Sequence, residues 1–382
     1  MKTKHTLLAA LAAAGMTGPL ATAAEEKEAP REGQAKVQLA ILLDTSNSMD
    51  GLIDQARTQL WKVVNTFIDA KQNGQVPFVE VALYQYGNNS LSPAGHWIQR
   101  VQPLTRDLDK VSEELFKLTT NGGEEYCGAV IRRATEDLAW DPSKEVYKAI
   151  FIAGNEPFTQ GPVDPSQSCR AAIAKGVIVN TIHCGSEAEG IATGWKSGAV
   201  LADGSYQFID HNKAVVHIDA PQDAEIVKLN EELNKTYLAY GGEGAARAQT
   251  QVAQDALAGR NAAAGAAVQR AVTKASANYH NTNWDLVDAS KQGDFDWSKM
   301  KEQTLPEEMR KMTQQERVAH VAKMAKQRVE VQGRIQALNK QREEFVAAKH
   351  REAASGKGET LDEAVVNTVR TQAAAKGYRF EK

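Results

Sequence analysis

From Leu39 the chain runs through Ala, Ile, Leu and Leu without a charge and stops at Asp44; Ser46 and Ser48 then place hydroxyls two and four residues on. A short uncharged run of this kind suits a strand buried on both faces of a parallel sheet. Asp44 falls at its carboxyl end, where open α/β sheets bind ligands. Behind it Leu52, Ala56, Leu60, Val63, Val64 and Phe67 recur at three- and four-residue intervals, the apolar stripe of an amphipathic helix over Leu52 to Ile68.

The same alternation of periods continues. Val79 to Tyr86 reads as a second strand, and Trp97 to Leu104, which contains Pro103, as a short antiparallel strand at the sheet edge. Residues 107–118 are helical in pattern, a glycine-broken loop spans 119–126, and a helix follows from Cys127 to Ala139. Val146 to Ala153, Gly176 to His183 and Tyr206 to Asp210 are the remaining strands, with a helix before the second of them. Strands alternating with helices predict parallel pairing through right-handed crossovers. The expected class is therefore α/β, with a doubly wound, mostly parallel sheet followed by an α-helical C-terminal region.

In that C-terminal region the period changes. Residues 221–237 form a capped helix with Ile226, Leu229 and Leu233 on one face. Residues 245–277 are Ala-rich, so helix there rests on propensity and close packing. Asn278 to Trp297 carries Tyr279, Trp284, Phe295 and Trp297 and is expected to dock irregularly on the first domain. From Pro306 to about Arg351 one long helix repeats Met324, Val331, Leu338 and Phe345 every seven residues, a coiled-coil-like seam. Its companion positions Val321, Arg328, Ile335 and Arg342 are only half apolar. That seam implies either a homo-oligomer or a stalk packed on its own chain. Leu361 to Ala375 reads as a last short helix.

Three observations outside the pattern change the picture. Lys2, Lys4 and His5 precede an apolar run from Thr6 to Met16, and Ala21-Thr-Ala23 supplies a small-x-small cleavage signal. This is a secretory leader cut near Ala23 or Ala24, which implies a periplasmic or secreted product with no transmembrane segment. The formal charge of −3 over 382 residues gives no reason to expect nucleic acid as a partner. Cys127, Cys169 and Cys184 lack zinc spacing, and in an oxidising compartment one disulfide is expected, involving Cys169 or Cys184. The expected divisions are 1–24 leader, 25–36 disordered lead-in, 37–216 α/β domain, 217–298 helical and irregular extension, 299–354 long helix, and 355–382 short helix and tail.

Asp44-x-Ser46-x-Ser48 after a hydrophobic strand resembles the von Willebrand factor type A family, whose metal-ion-dependent adhesion site opens with that motif. The resemblance covers about half of the chain and implies a divalent cation, Mg²⁺ or Ca²⁺, held by hard oxygens with a position left for a partner's acidic group. Two departures stand out. The family's threonine after a glycine-rich turn is replaced by Gly122-Gly123-Glu124, and its Asp-Gly after the fourth strand by Gly154-Asn155. The implied ligand set is Asp44, Ser46, Ser48 and Glu124, with Asn155 or Glu156 on the other side. The competing account of the same residues is a helix cap with hydroxyls that satisfy loop amides. Two functions follow: a metal-dependent protein-binding module, or an envelope scaffold that works through the long helix with a degenerate metal site. No enzyme is expected, because His96, His183 and the other six histidines are scattered singly and no phosphate loop accompanies Asp44.

Overall fold

The computed structural model of the chain describes residues 30, 33–50, 62–63, 65–67, 70–209, 218–260, 265–353 and 361–380. The expected leader, most of the lead-in and most of the helix Leu52–Ile68 lie outside the described residues; Lys62, Val63 and Asn65 are helical.

Eight strands are described: β1 Lys36–Asp44, β2 Ala70–Lys71, β3 Phe78–Tyr86, β4 Ile98–Thr105, β5 Tyr147–Gly154, β6 Ile178–Cys184, β7 Tyr206–Ile209 and β8 Arg379–Phe380. Six form one sheet in the order β4-β3-β1-β5-β6-β7. Every pairing in it is parallel except β3 with β4, so β4 is the antiparallel edge strand that Pro103 predicted. The chain leaves β1 towards β3 on one side and later returns to β5 on the other. This reversal of strand order beside β1 opens a crevice at its carboxyl end, and Asp44 stands there.

Both faces of the sheet are covered. On one, the helices Cys127–Asp137 and Pro165–Ala174, with Trp195, bury Ala40, Leu42, Ile150 and Ile152. On the other, the helix Leu108–Lys117, Val63 and Phe67 bury Leu39, Ile41 and Phe151. That second face is completed from an unexpected quarter, the helix Leu361–Ala374, whose Val365, Val369 and Ala373 join the same core. Gln207 of β7 donates to Thr368 at 2.9 Å, and Tyr378 donates its hydroxyl to the Lys36 carbonyl at 2.8 Å. β8 then pairs antiparallel with β2. The stretch expected to be a short helix and tail is thus a structural part of the α/β layer, and residues 218–353 are interposed between the last strand of the sheet and the helix that closes its face.

The interposed part is helical. Asp223–Asn234, Gly244–Arg260, Ala266–Lys274 and the short Leu286–Ala289 pack with the long helix Gln314–Ala353. Val331 and Ile335 share a core with Ile226, Leu229, Leu233 and Val272. The long helix therefore packs Met324, Val331 and Leu338 of its seam inside its own chain, and Val331 is not free for an oligomer. The more buried stripe is the one that looked half polar, Val321, Arg328, Ile335 and Arg342. Arg328 succeeds there because Asp285 (2.7 Å) and Asp288 (3.0 Å) pair with it, the Thr236 carbonyl accepts at 2.7 Å, and Tyr237 lies 4.0 Å beneath its guanidinium. Arg342 meets Asp223 at 2.6 Å.

Asn278 to Trp297 divides: Tyr279 enters the sheet core as expected, whereas Phe295 and Trp297 pack near the start of the long helix. The two parts are joined by a buried ionic cluster in which Arg270 contacts Asp109 and Asp255 at 2.5 Å each and Lys274 contacts Asp255 at 2.6 Å. The expected disulfide is absent. Cys127, Cys169 and Cys184 are all free and buried, packed as small apolar groups, with Cys184 in a different cluster from the other two. No helix among the described residues is long and apolar enough to cross a membrane.

Candidate metal centre

Three segments meet at the carboxyl end of β1. The first is β1 itself with the turn after it. Asp44 is fully buried, and its Oδ1 accepts from the Ser46 amide at 2.8 Å. The Ser46 and Ser48 hydroxyls lie 3.1 Å apart. The second is the loop before the helix Cys127–Asp137, held over β1 by Asn121 N–H to the Thr45 carbonyl (3.0 Å) and by Asn88 to the Thr119 carbonyl (2.7 Å). The third follows β5, with Trp195 Nε1 donating to the Glu156 carbonyl at 2.9 Å.

Two glycines permit the approach. Gly87 has φ +75°, and a Cβ there would stand 2.7 Å from Glu125 Cγ and 2.8 Å from Asp44 Oδ1, so both carboxylate side chains crowd the bare side of one glycine. Gly154 plays the same part on the β5 side, where a Cβ would lie 3.3 Å from Asp44 Oδ2 and 2.5 Å from the Tyr86 hydroxyl.

The expected ligands divide accordingly. Asp44, Ser46 and Ser48 are together, and Asn155 and Glu156 flank them from β5. Glu124 is not with them: it is exposed, and Gln160 donates to it at 3.3 Å. The carboxylate that enters is its neighbour Glu125, 6% exposed and hydrogen-bonded by the Ser46 hydroxyl. Of two successive carboxylates in an extended loop only one can face inward, and the sequence Gly-Gly-Glu-Glu-Tyr holds no signal for which. Thr120, the nearby hydroxyl that could have stood where the family has threonine, donates instead to Asp50.

This cluster is short of donors. The single Ser46 hydroxyl proton faces Asp44, Glu125 and the Ser48 oxygen. Asp44 Oδ2 and Asn155 Oδ1 are buried with no hydrogen-bond partner. Burial pushes the Asp44 carboxyl up to about 7 against the pull of Ser46, and Glu125 and Glu156 add repulsion. Burial, followed by the Glu156 charge, likewise pushes Glu125 up to about 7. Orphaned oxygens and like charges in one cleft are what a hard cation would relieve. No three His, Cys, Asp or Glu side chains among the described residues make a metal site unaided, so a cation has to take hydroxyl and amide oxygens into its shell, which suits the serines and Asn155.

An open, mostly parallel sheet with a carboxylate and two hydroxyls where its strand order reverses places this domain in the doubly wound α/β class. More particularly, the chain carries a von Willebrand factor type A domain, since residues 38–191 match that family's profile. Among solved structures the chain is similar to BatB from Bacteroides thetaiotaomicron, at 17% identity over 46% of this chain and 90% of that one, TM-score 0.35. It is also similar to the von Willebrand domain of the type V pili tip protein Mfa5 from Porphyromonas gingivalis, at 12% identity over 46% and 90%, TM-score 0.34. A third is proximal thread matrix protein 1 from the mussel byssus with a zinc-occupied MIDAS motif, at 14% identity over 47% and 43%, TM-score 0.36. No curated protein matches the chain.

Proposed function

We propose that this protein is a metal-dependent protein-binding module of the bacterial periplasm or exterior, and that it binds rather than catalyses. The observation that carries the reading is the pair of buried, unpartnered oxygens, Asp44 Oδ2 and Asn155 Oδ1, at the mouth of the sheet. Asp44, Ser46, Ser48 and Glu125 would hold Mg²⁺ or Ca²⁺, with Asn155 and Glu156 facing them from β5. When bound, the ion supplies a Lewis-acidic position that a partner's acidic group completes. Ser46 and Ser48 orient the shell, and the glycines at 87 and 154 keep the backbone close enough to form it. The secretory leader read at residues 1–24 supports the location.

Calorimetry on the purified chain tests the metal, with binding expected for Mg²⁺ or Ca²⁺ and lost in Asp44→Ala. A pull-down from periplasmic extract with and without chelator tests the partner, whose retention should require the cation. One observation favours a scaffold as the second reading: the buried Arg270–Asp109–Asp255–Lys274 cluster ties the helical part to the α/β layer. Partner retention that is indifferent to chelator would select it.

A further inference from the structure

Away from the metal centre, the edge strand β7 and the closing helix Leu361–Ala374 do not meet flush. Between them lies an open groove of about 470 Å³. Its lining is unusual for a small-molecule site. Side-chain amides come from Gln207, Asn367 and Gln372, hydroxyls from Ser205, Thr368 and Thr371, and the one ionisable group besides Tyr206 is Asp203. Among the described lining residues none carries a cation to hold a phosphate or carboxylate, and none is aliphatic.

The wall is also fixed in advance. Gln372 accepts from the Tyr147 hydroxyl at 2.8 Å and exchanges amide hydrogen bonds with the buried Asn180, at 3.2 Å one way and 2.7 Å the other. Asn180 Oδ1 also accepts the Ser205 amide at 2.9 Å. Gln207, 7% exposed, gives its N–H to Thr368 Oγ1, and its carbonyl oxygen has no partner. The Gln207 oxygen is itself out of a ligand's reach, so recognition falls to the more accessible Asp203, Ser205, Asn367 and Thr371, backed by the fixed amides behind them, and such a wall matches a ligand that offers several neutral donors and acceptors on adjacent atoms. Vicinal hydroxyls on a sugar ring have that pattern, and Asp203 at the rim adds a strong acceptor for a further hydroxyl.

We propose that this groove is a binding site for a neutral saccharide, separate from the metal centre and independent of the reading given above for it. The site is open to solvent, so a ligand would bury only part of its surface there, which implies modest affinity.

The test uses the full chain and three probes, maltose, cellobiose and N,N′-diacetylchitobiose, titrated by ligand-observed NMR and calorimetry. At least one should bind saturably below about 10 mM, a Kd equivalent to only ~2.7 kcal/mol. Thr371→Arg, at an exposed helical position pointing a long cation at the groove, should weaken that probe at least tenfold. Asn367→Ala should weaken it less, and Asp44→Ala should leave it unchanged. Circular dichroism and melting temperature confirm that each variant is folded. The proposal is overturned if none of the probes binds, if Thr371→Arg binds as the parent does, or if maltose 1-phosphate binds as tightly as the best neutral probe.

Discussion

The substitution that bears hardest on the candidate metal centre is Glu125→Gln, with Glu125→Thr beside it and Glu124→Ala as the control. Glu125 is buried against Asp44 and hydrogen-bonded by Ser46, while Glu124 faces solvent. Without a cation, Glu125→Gln removes one of the like charges around Asp44 and should raise the melting temperature. With a cation, the same change removes an anionic oxygen from the shell or its immediate support, a loss of ~10–100-fold in affinity. The two effects have opposite signs, which distinguishes a metal-site residue from a merely structural one. At a cation concentration of 100 Kd the parent gains ~2.7 kcal/mol, and a tenfold loss of affinity cuts this to ~1.4 kcal/mol. For a folding unit of roughly 200 residues these correspond to melting shifts of ~5–11 °C and ~3–6 °C. Differential scanning calorimetry with and without 5 mM Mg²⁺ or Ca²⁺ reads both. A Glu124→Ala variant that loses the cation-induced shift while Glu125→Gln keeps it would refute the assignment, and so would a parent that shows no shift with either ion.

Further consequences can be measured. Arg270→Met leaves Asp109 and Asp255 buried without their shared cation and should destabilise the protein by ~3–5 kcal/mol in urea unfolding. Burial raises the Asp255 carboxyl, but Arg270 and Lys274 outweigh it and hold the group down at about 2. The stability this contributes is present above the ordinary aspartate value and is lost as pH falls through about 2. The urea midpoint should therefore drop between ~pH 5 and 2, and drop less in Asp255→Asn. Val331→Asp places a charge in the core with Ile226 and Leu229 and should lower the stability of the single chain without changing its sedimentation coefficient under native conditions.

The sheet was legible in the sequence because its strands are short apolar runs bounded by turns, and β4 because a proline in an alternating strand has only an edge to occupy. That Asp44, Ser46 and Ser48 come together at the candidate site was legible because they follow one another in the chain, so their geometry is local. The rest of that site comes from loops over seventy residues away, and there the choice between Glu124 and Glu125 depends on which way a loop turns over Gly87. The long helix misled in the opposite sense. Arg328 and Arg342 look like breaks in an apolar stripe, but their partners Asp285, Asp288 and Asp223 are distant in sequence, and only the fold reveals that these arginines are interior. The cysteines fit an apolar packing role as well as a bridging one, and spacing alone cannot tell these apart.

The hydroxyl of Tyr378 bonds the first residue of β1 across 342 positions of sequence, and this has a consequence for synthesis. At ~5–20 residues per second, the interposed residues 218–353 take on the order of ten to thirty seconds to emerge before Val365 and Val369 can cover the sheet. Throughout that interval Leu39, Phe67 and Tyr147 lack part of their cover, so the α/β layer is held open by the order in which its own pieces are made. Such a nascent chain is exposed to holdases and to aggregation for longer than a domain that closes on itself.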